Sequence, residues 1–345
     1  MNAQIALLLG QDGFINGAIY ALLALSILLV FSVTRILLIP LGEFVSYAAL
    51  TMASMQAGKP VMLGAMLVAL CLIGLLMDAR DALRAGRRLR FRASKLLMPA
   101  YVAAVTGLSV TLPLEHIGMA FQGALTVALV VPLGPLLYRV LFLPIASANG
   151  LVLLIVAIAA HVALTSAGLL IFGPEGSRTE PFSDATFTIG DAIINSQTLW
   201  VIALSFILIA LLYAFFEKNL YGKALRATAV DRLGAQLVGI SPALAGKASF
   251  ALAAFISGLS GVLIAPITTI YFDSGFVISL KGFVGAIIGG LASYPVAAAG
   301  AVALGLVEAF STFYASSYKE VIVFTLLLPV LLWRSVAQKG VKDEQ

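Results

Sequence analysis

Charge is scarce in this chain: only 11% of its 345 residues are Asp, Glu, Lys or Arg, where a soluble globular domain carries roughly 25%. That figure, with 61% hydrophobic residues and a mean hydropathy of +1.07, excludes a water-soluble fold. Cysteine is nearly absent. The single Cys71 lies in an apolar run, can form no intrachain disulfide and is expected to pack as a small hydrophobe. With the two histidines, His116 and His161, it makes no metal-binding spacing, so neither a structural nor a catalytic metal is expected. No G-x-x-x-x-G-K-[ST] phosphate loop occurs; the nearest string, Gly246-Lys247-Ala248, lacks the upstream glycine and the following Ser or Thr. The chain is therefore not expected to hydrolyse ATP by itself or to carry a cofactor. It also lacks the convergent side chains of an enzyme site.

What the chain does have is long apolar runs. About 20 apolar residues span a bilayer as a helix, because backbone amides in lipid must satisfy one another. Runs near 14–36, 42–57, 61–77, 96–113, 118–142, 150–172, 198–216, 248–271, 279–293, 297–313 and 320–333 predict an all-α polytopic bundle of about 9 to 11 hydrophobic helices over residues 1–345. Those at 42–57, 279–293 and 320–333 are too short for a full crossing and read as half-length or re-entrant segments. Phe14 to Val33 has neither the basic flank nor the cleavage site of a removable signal and reads as a permanent first span.

Orientation follows from lysine and arginine. The segment 78–95 holds seven basic residues against Asp78 and Asp81, a surplus of five that equals the formal charge of the whole chain. This loop is expected in the cytoplasm, in contact with anionic lipid, together with the basic connection 218–247 and the tail cations Arg334, Lys339 and Lys342. The loop 173–197 carries Glu175, Glu180, Asp184 and Asp191 against Arg178 and is expected outside. Eleven crossings ending in the cytoplasm put the N-terminus outside.

Intramembrane polar groups are few, and each has two readings. Glu43 is either an interfacial acid at a helix N-terminus or a pathway residue. Glu308, with apolar neighbours on both sides, either makes an interhelical hydrogen bond or lines a pathway. His161 is either a satisfied polar group between helices or a proton relay, and Arg35 reads as a residue snorkelling at the cytoplasmic interface. Gly285 and Gly289 form G-x-x-x-G, a close-packing signal, while interruptions near Gly289, Gly290, Pro266 and Tyr294-Pro295 suit broken helices that expose backbone to a solute. In the 218–247 connection, residues 223–238 predict one amphipathic helix with Leu225, Ala229, Leu233 and Leu237 on one face, closed by Gly239 and Pro242. Arg226, Asp231, Arg232, Ala235 and Gly239 mark it as a lever for a partner; the alternative is a helix resting on lipid headgroups.

Three stretches resemble the permease family of bacterial branched-chain amino-acid ABC importers. They are Asn16 to Leu25 with Leu41-Gly42-Glu43, Gly222 to Ala229 with Ala235 and Gly239-Ile240, and Phe250 to Glu308 with Ser257-Gly258-Leu259-Ser260-Gly261, Gly289-Gly290-Leu291 and Gly305-Leu306-Val307-Glu308. The resemblance implies a multi-pass subunit of the bacterial inner membrane. It also implies cytoplasmic ATPase subunits docking on the 218–247 loop, a second permease subunit, homologous or identical, and an extracytoplasmic solute-binding protein. No nucleic acid enters this reading. The competing reading is a secondary carrier driven by an ion gradient, with Glu308 and His161 as coupling groups.

Overall fold

A computed structural model describes residues 3–84, 93–183, 185–189, 192–291 and 293–332. Long charge-free runs become long helices, because each closes its own backbone hydrogen bonds. In chain order these are α1 (Ala3–Thr34), α2 (Leu41–Gln56), α3 (Leu63–Arg84), α4 (Ala93–Thr111), α5 (Met119–Val130), α6 (Leu133–Leu137) and α7 (Gly150–Phe172). There follow α8 (Ser196–Lys218), α9 (Leu220–Val230), α10 (Arg232–Leu237), α11 (Pro242–Ile264), α12 (Ser274–Ile288), α13 (Tyr294–Tyr314) and α14 (Lys319–Thr325), with 327–332 again helical. Seven described helical stretches are long and apolar enough to cross a membrane, so the chain is an all-α multi-pass membrane protein. One of the seven runs from Met119 to Ile145; around Pro132 and Pro135, which donate no backbone hydrogen bond, it loosens into a π-helical turn at Tyr138–Phe142.

The centre of the bundle is α1, α2, α11, α12 and α13. α2 is buried along nearly its whole length, whereas α3, α7 and α8 bury less than a third of their apolar spans and turn the remainder outward, as lipid-facing helices do. The two short helices that the sequence marked as half-length, α2 and α12, each start inside the bundle after a non-helical segment, residues 35–40 and 265–273. Their first turns meet backbone to backbone: a Cβ on Gly42 would overlap the Gly275 carbonyl, and one on Gly275 the Gly42 carbonyl. Ser46 Oγ accepts the Gly275 N–H at 2.7 Å, satisfying a donor that the helix itself leaves orphaned.

The described connections lie on two faces of the bundle. On one face, Leu29 and Val33 near the end of α1, Phe216 of α8, Leu225 of α9 and Ala245 of α11 form one apolar cluster. Arg139 bonds Asp78 of α3 at 2.6 Å, and Tyr138 packs on Gly246 of α11, so α3 ends on this same face. On the opposite face the 173–195 segment pairs Ser177 with Ile270 and donates Glu180 N–H to Gln56 of α2 at 3.0 Å. There Gln11 of α1 also bonds Thr198 of α8 at 3.1 Å. Arg87, Arg88, Arg90, Arg92, Asp184, Asp191 and the tail cations lie outside the described residues.

Three expectations need correction. The 173–197 loop is not wholly irregular: Thr186–Ile189 (β1) and Ala192–Asn195 (β2) form an antiparallel hairpin with Thr186 opposite Asn195, as the β-branched and apolar residues in both segments allow. The helix expected over 248–271 runs from Pro242 to Ile264; Pro242 opens it at the first turn, where its missing N–H costs nothing, and Pro266 follows its end. The 223–238 helix is two helices, because Asp231 is extended at φ −142° and its Oδ1 accepts the Leu233 N–H at 2.9 Å, capping α10 instead of continuing α9.

Candidate functional site: a charged cavity floor and a helical loop on opposite faces

Lys281 lies at the middle of α12 and is 5% exposed. Its ammonium donates to Glu308 of α13 at 2.5 Å and to Glu320 of α14 at 3.1 Å, and Tyr20 of α1 donates its hydroxyl to the other Glu308 oxygen at 2.7 Å. Four helices thus converge on one charged knot. Charges taken out of water cost several kcal/mol each unless paired and hydrogen-bonded, and this geometry meets that condition for Glu308 at both oxygens. Tyr20, Lys281 and Glu308 of the knot line a cavity of about 660 Å³, together with Asp12, Thr268 and Lys319. Toward the α9–α10 face the helices pack closely at glycines: Gly282 on Leu23, Gly285 on Ala301 and Gly289 on Ala297.

A second knot stands at the start of α2. Glu43, 1% exposed, bonds His161 Nδ1 of α7 at 2.5 Å, and the His161 ring stacks on Phe276 of α12 with centroids 4.3 Å apart. Thr165 lies 3.4 Å from the same Glu43 oxygen, while Glu43 Oε2 is buried with no partner. Glu43 is thus buried inside the bundle and not at its interface, and His161 is its partner. Glu308 and His161 sit in separate networks, not one relay.

Gly289 and Gly290 do not line the large cavity. Gly289 touches Ala297 and Gly290 takes φ +66°, so they build the tight turn between α12 and α13. The helical loop is anchored by Gly222, Leu225, Thr228 and Ala235, all buried. Leu233 and Leu237 are 68% and 82% exposed, so the four-residue stripe read from the sequence is split at Asp231. Gly239 ends α10 at φ +87°, its N–H on Gln236. Arg226 pairs with Glu217 at 2.6 Å at the surface, and Asp231 and Arg232 are exposed.

Residues 93–331 match the family described as branched-chain amino acid transport system, permease component. The chain belongs to that family. This permease is 27% identical over 255 residues to the high-affinity branched-chain amino acid transport system permease protein BraD of Pseudomonas aeruginosa, an alignment covering 71% of this chain and 83% of BraD. It is 29% identical over 223 residues to the LivH permease protein of Escherichia coli K12, covering 63% of this chain and 72% of LivH. With LivH of Salmonella typhimurium it shares 30% identity over 203 residues, covering 56% and 65% of the two chains. No solved structure matches it.

The sequence of this permease alone does not mark Lys281. A helix expected to begin at 279 would put a lysine at its interfacial end, where lysine is ordinary. Since α12 begins at Ser274, the same lysine sits mid-helix, where the rule that marked Glu308 applies to it equally.

Proposed function

We propose that the chain is the membrane-spanning subunit of an ATP-driven importer of amino acids, branched-chain ones foremost, in a bacterial inner membrane. A solute-binding protein delivers substrate at the hairpin face. Cytoplasmic ATPase subunits engage α9 and α10 on the other face, and a second permease subunit, homologous or identical, completes the pathway. No covalent chemistry is assigned to this chain. The observation that carries the reading is the placement of the helical loop: it hangs between α8 and α11, rooted by buried Leu225 and Ala235, with Leu220, Tyr221, Val230, Leu233 and Leu237 exposed. A partner that grips those side chains can move two spans at once.

The test belongs on the exposed residues. Ala235 is buried within this chain, so a bulky change there disturbs the chain's own packing first. Leu233→Glu with Leu237→Glu leaves that packing intact. If each leucine is buried by the ATPase, its loss removes about 1.5–3 kcal/mol, so the pair is expected to weaken association by more than 100-fold. Copurified ATPase and amino-acid uptake should fall together while membrane insertion stays normal. Undiminished copurification and uptake would show that the loop rests on lipid.

Sidedness is checked with thiols. In a Cys71→Ala background, cysteine at position 175 should react with a membrane-impermeant maleimide in intact cells, and cysteine at position 237 only after the membrane is opened. The reverse pattern would invert the orientation.

A further inference from the structure

A groove of about 490 Å³ runs along α8 where that helix meets the centre of the bundle. Its walls are apolar, with Leu25 and Leu29 of α1, Phe206 and Ala210 of α8 and Ile256 of α11. At the end next to the α9–α10 face, Glu217 of α8 and Arg226 of α9 line it too. The chain leaves this groove open: Phe206 is 57% and Tyr213 70% exposed, and α8 buries less than a third of its apolar span. In a bilayer such a surface is covered either by lipid or by another chain.

The depth of the groove selects lipid. From Phe206 to Glu217, α8 rises about 16 Å at 1.5 Å per residue, which is about half of a hydrocarbon core roughly 30 Å thick. A spanning helix of a second subunit would follow the whole core, whereas one leaflet ends where this groove ends. Tyr294, packed on Phe216 with ring centroids 5.7 Å apart, stands beside the charged end, at the level where tyrosine borders headgroups.

The charged end selects the headgroup. Arg226 and Glu217 pair at 2.6 Å with side chains 43% and 44% exposed. Arg226 uses one of its five N–H donors on Glu217, and that carboxylate has a second oxygen. A headgroup with one phosphate and one primary ammonium adds no net charge to the pair: the phosphate meets the guanidinium and the ammonium meets the carboxylate. A glycerol headgroup brings the phosphate alone and sets it beside Glu217 uncompensated. A choline headgroup has no N–H to donate.

We propose that this groove binds one phospholipid with an ethanolamine headgroup, its phosphate on Arg226, its ammonium on Glu217 and an acyl chain against Leu25, Leu29 and Ile256. Arg226, read from the sequence as part of the lever, then ties the helical loop to lipid. The leaflet is the cytoplasmic one in the orientation proposed above, and the test does not depend on that assignment.

The full chain is placed in phosphatidylcholine nanodiscs doped with phosphatidylethanolamine that carries a diazirine in its acyl chain. After irradiation, label is expected within residues 206–217 or 294–298, and unlabelled phosphatidylethanolamine should suppress it at least ten-fold more effectively than phosphatidylglycerol. Glycerophosphoethanolamine, the same headgroup without acyl chains, should not compete. Ala210→Trp fills the groove from an exposed position and should lower labelling at least ten-fold, with elution and melting unchanged. Ala203→Trp, exposed on α8 outside the groove, should label as the wild type does. Arg226→Gln/Glu217→Gln should abolish the preference for ethanolamine over glycerol. Equal suppression by the two lipids in the wild type, competition by the headgroup alone, undiminished labelling of Ala210→Trp, or a preference that survives Arg226→Gln/Glu217→Gln would each overturn the proposal. So would a disulfide between two copies of Ala210→Cys in a Cys71→Ala background, formed with loss of the label, which would assign the groove to a second permease subunit.

Discussion

Replacing Gly275 by alanine is expected to remove folded protein from the membrane. The added Cβ would fall on the carbonyl of Gly42, and a Cβ on Gly42 would fall on the carbonyl of Gly275, so neither residue can yield by a side-chain rotation. Backbone must move, which separates α2 from α12 and breaks the Ser46 bond to the Gly275 amide. Overpacking typically costs about 1–3 kcal/mol where side chains can adjust, so a contact between two backbones should cost at least about 3 kcal/mol. Gly10→Ala is the control, because a Cβ at Gly10 of α1 meets nothing within 4 Å. The two variants should separate cleanly in detergent: a monodisperse peak with unchanged melting for Gly10→Ala, and aggregated or absent material for Gly275→Ala. Wild-type melting of Gly275→Ala would mean that α2 and α12 do not meet as described.

Lys281→Met should destabilise the protein by about 3–5 kcal/mol, because it leaves the Glu308 carboxylate buried with only Tyr20 as a donor. Neutralising both groups in Lys281→Met/Glu308→Gln is expected to recover half or more of that loss. The glutamine keeps an acceptor for the Tyr20 hydroxyl and no uncompensated charge remains. Melting temperatures of the wild type, both single variants and the double variant close the cycle. A double variant that melts as low as the sum of the singles would show that the two residues do not interact. The fourth member, Glu320, is 42% exposed on its side chain and can turn to water, so Glu320→Gln should shift the melting temperature little.

Each polar network was half visible before it was seen folded. Glu308 stood out because an acid among apolar neighbours is rare, yet its partners are Lys281 and Tyr20, 27 and 288 positions away in the chain. In the sequence Glu43 and His161 stand singly. They are 118 residues apart, and nothing in either local segment ties them. The break at Asp231 has a local cause: an aspartate can cap a new helix as readily as ride on a continuing one, and here its side chain accepts the Leu233 amide. Gly285 and Gly289 gave a packing signal in the sequence, and they sit against Ala301 and Ala297 on the antiparallel α13.

Hydropathy determined by itself that this chain lives in a membrane, because the cost of an unpaired amide in lipid is met within any run of about 20 apolar residues. The expectation of which loops share a side also comes from sequence alone, since positive loops resist translocation and that bias is a count over neighbouring residues. The half-length of α2 and α12 could be read from where polar and glycine residues interrupt the runs. What the tertiary structure alone decided is where those half-helices meet and which charges they bring together. A buried lysine is tolerable only at a place where acids from other helices reach it, and that place exists only once α1, α12, α13 and α14 have packed.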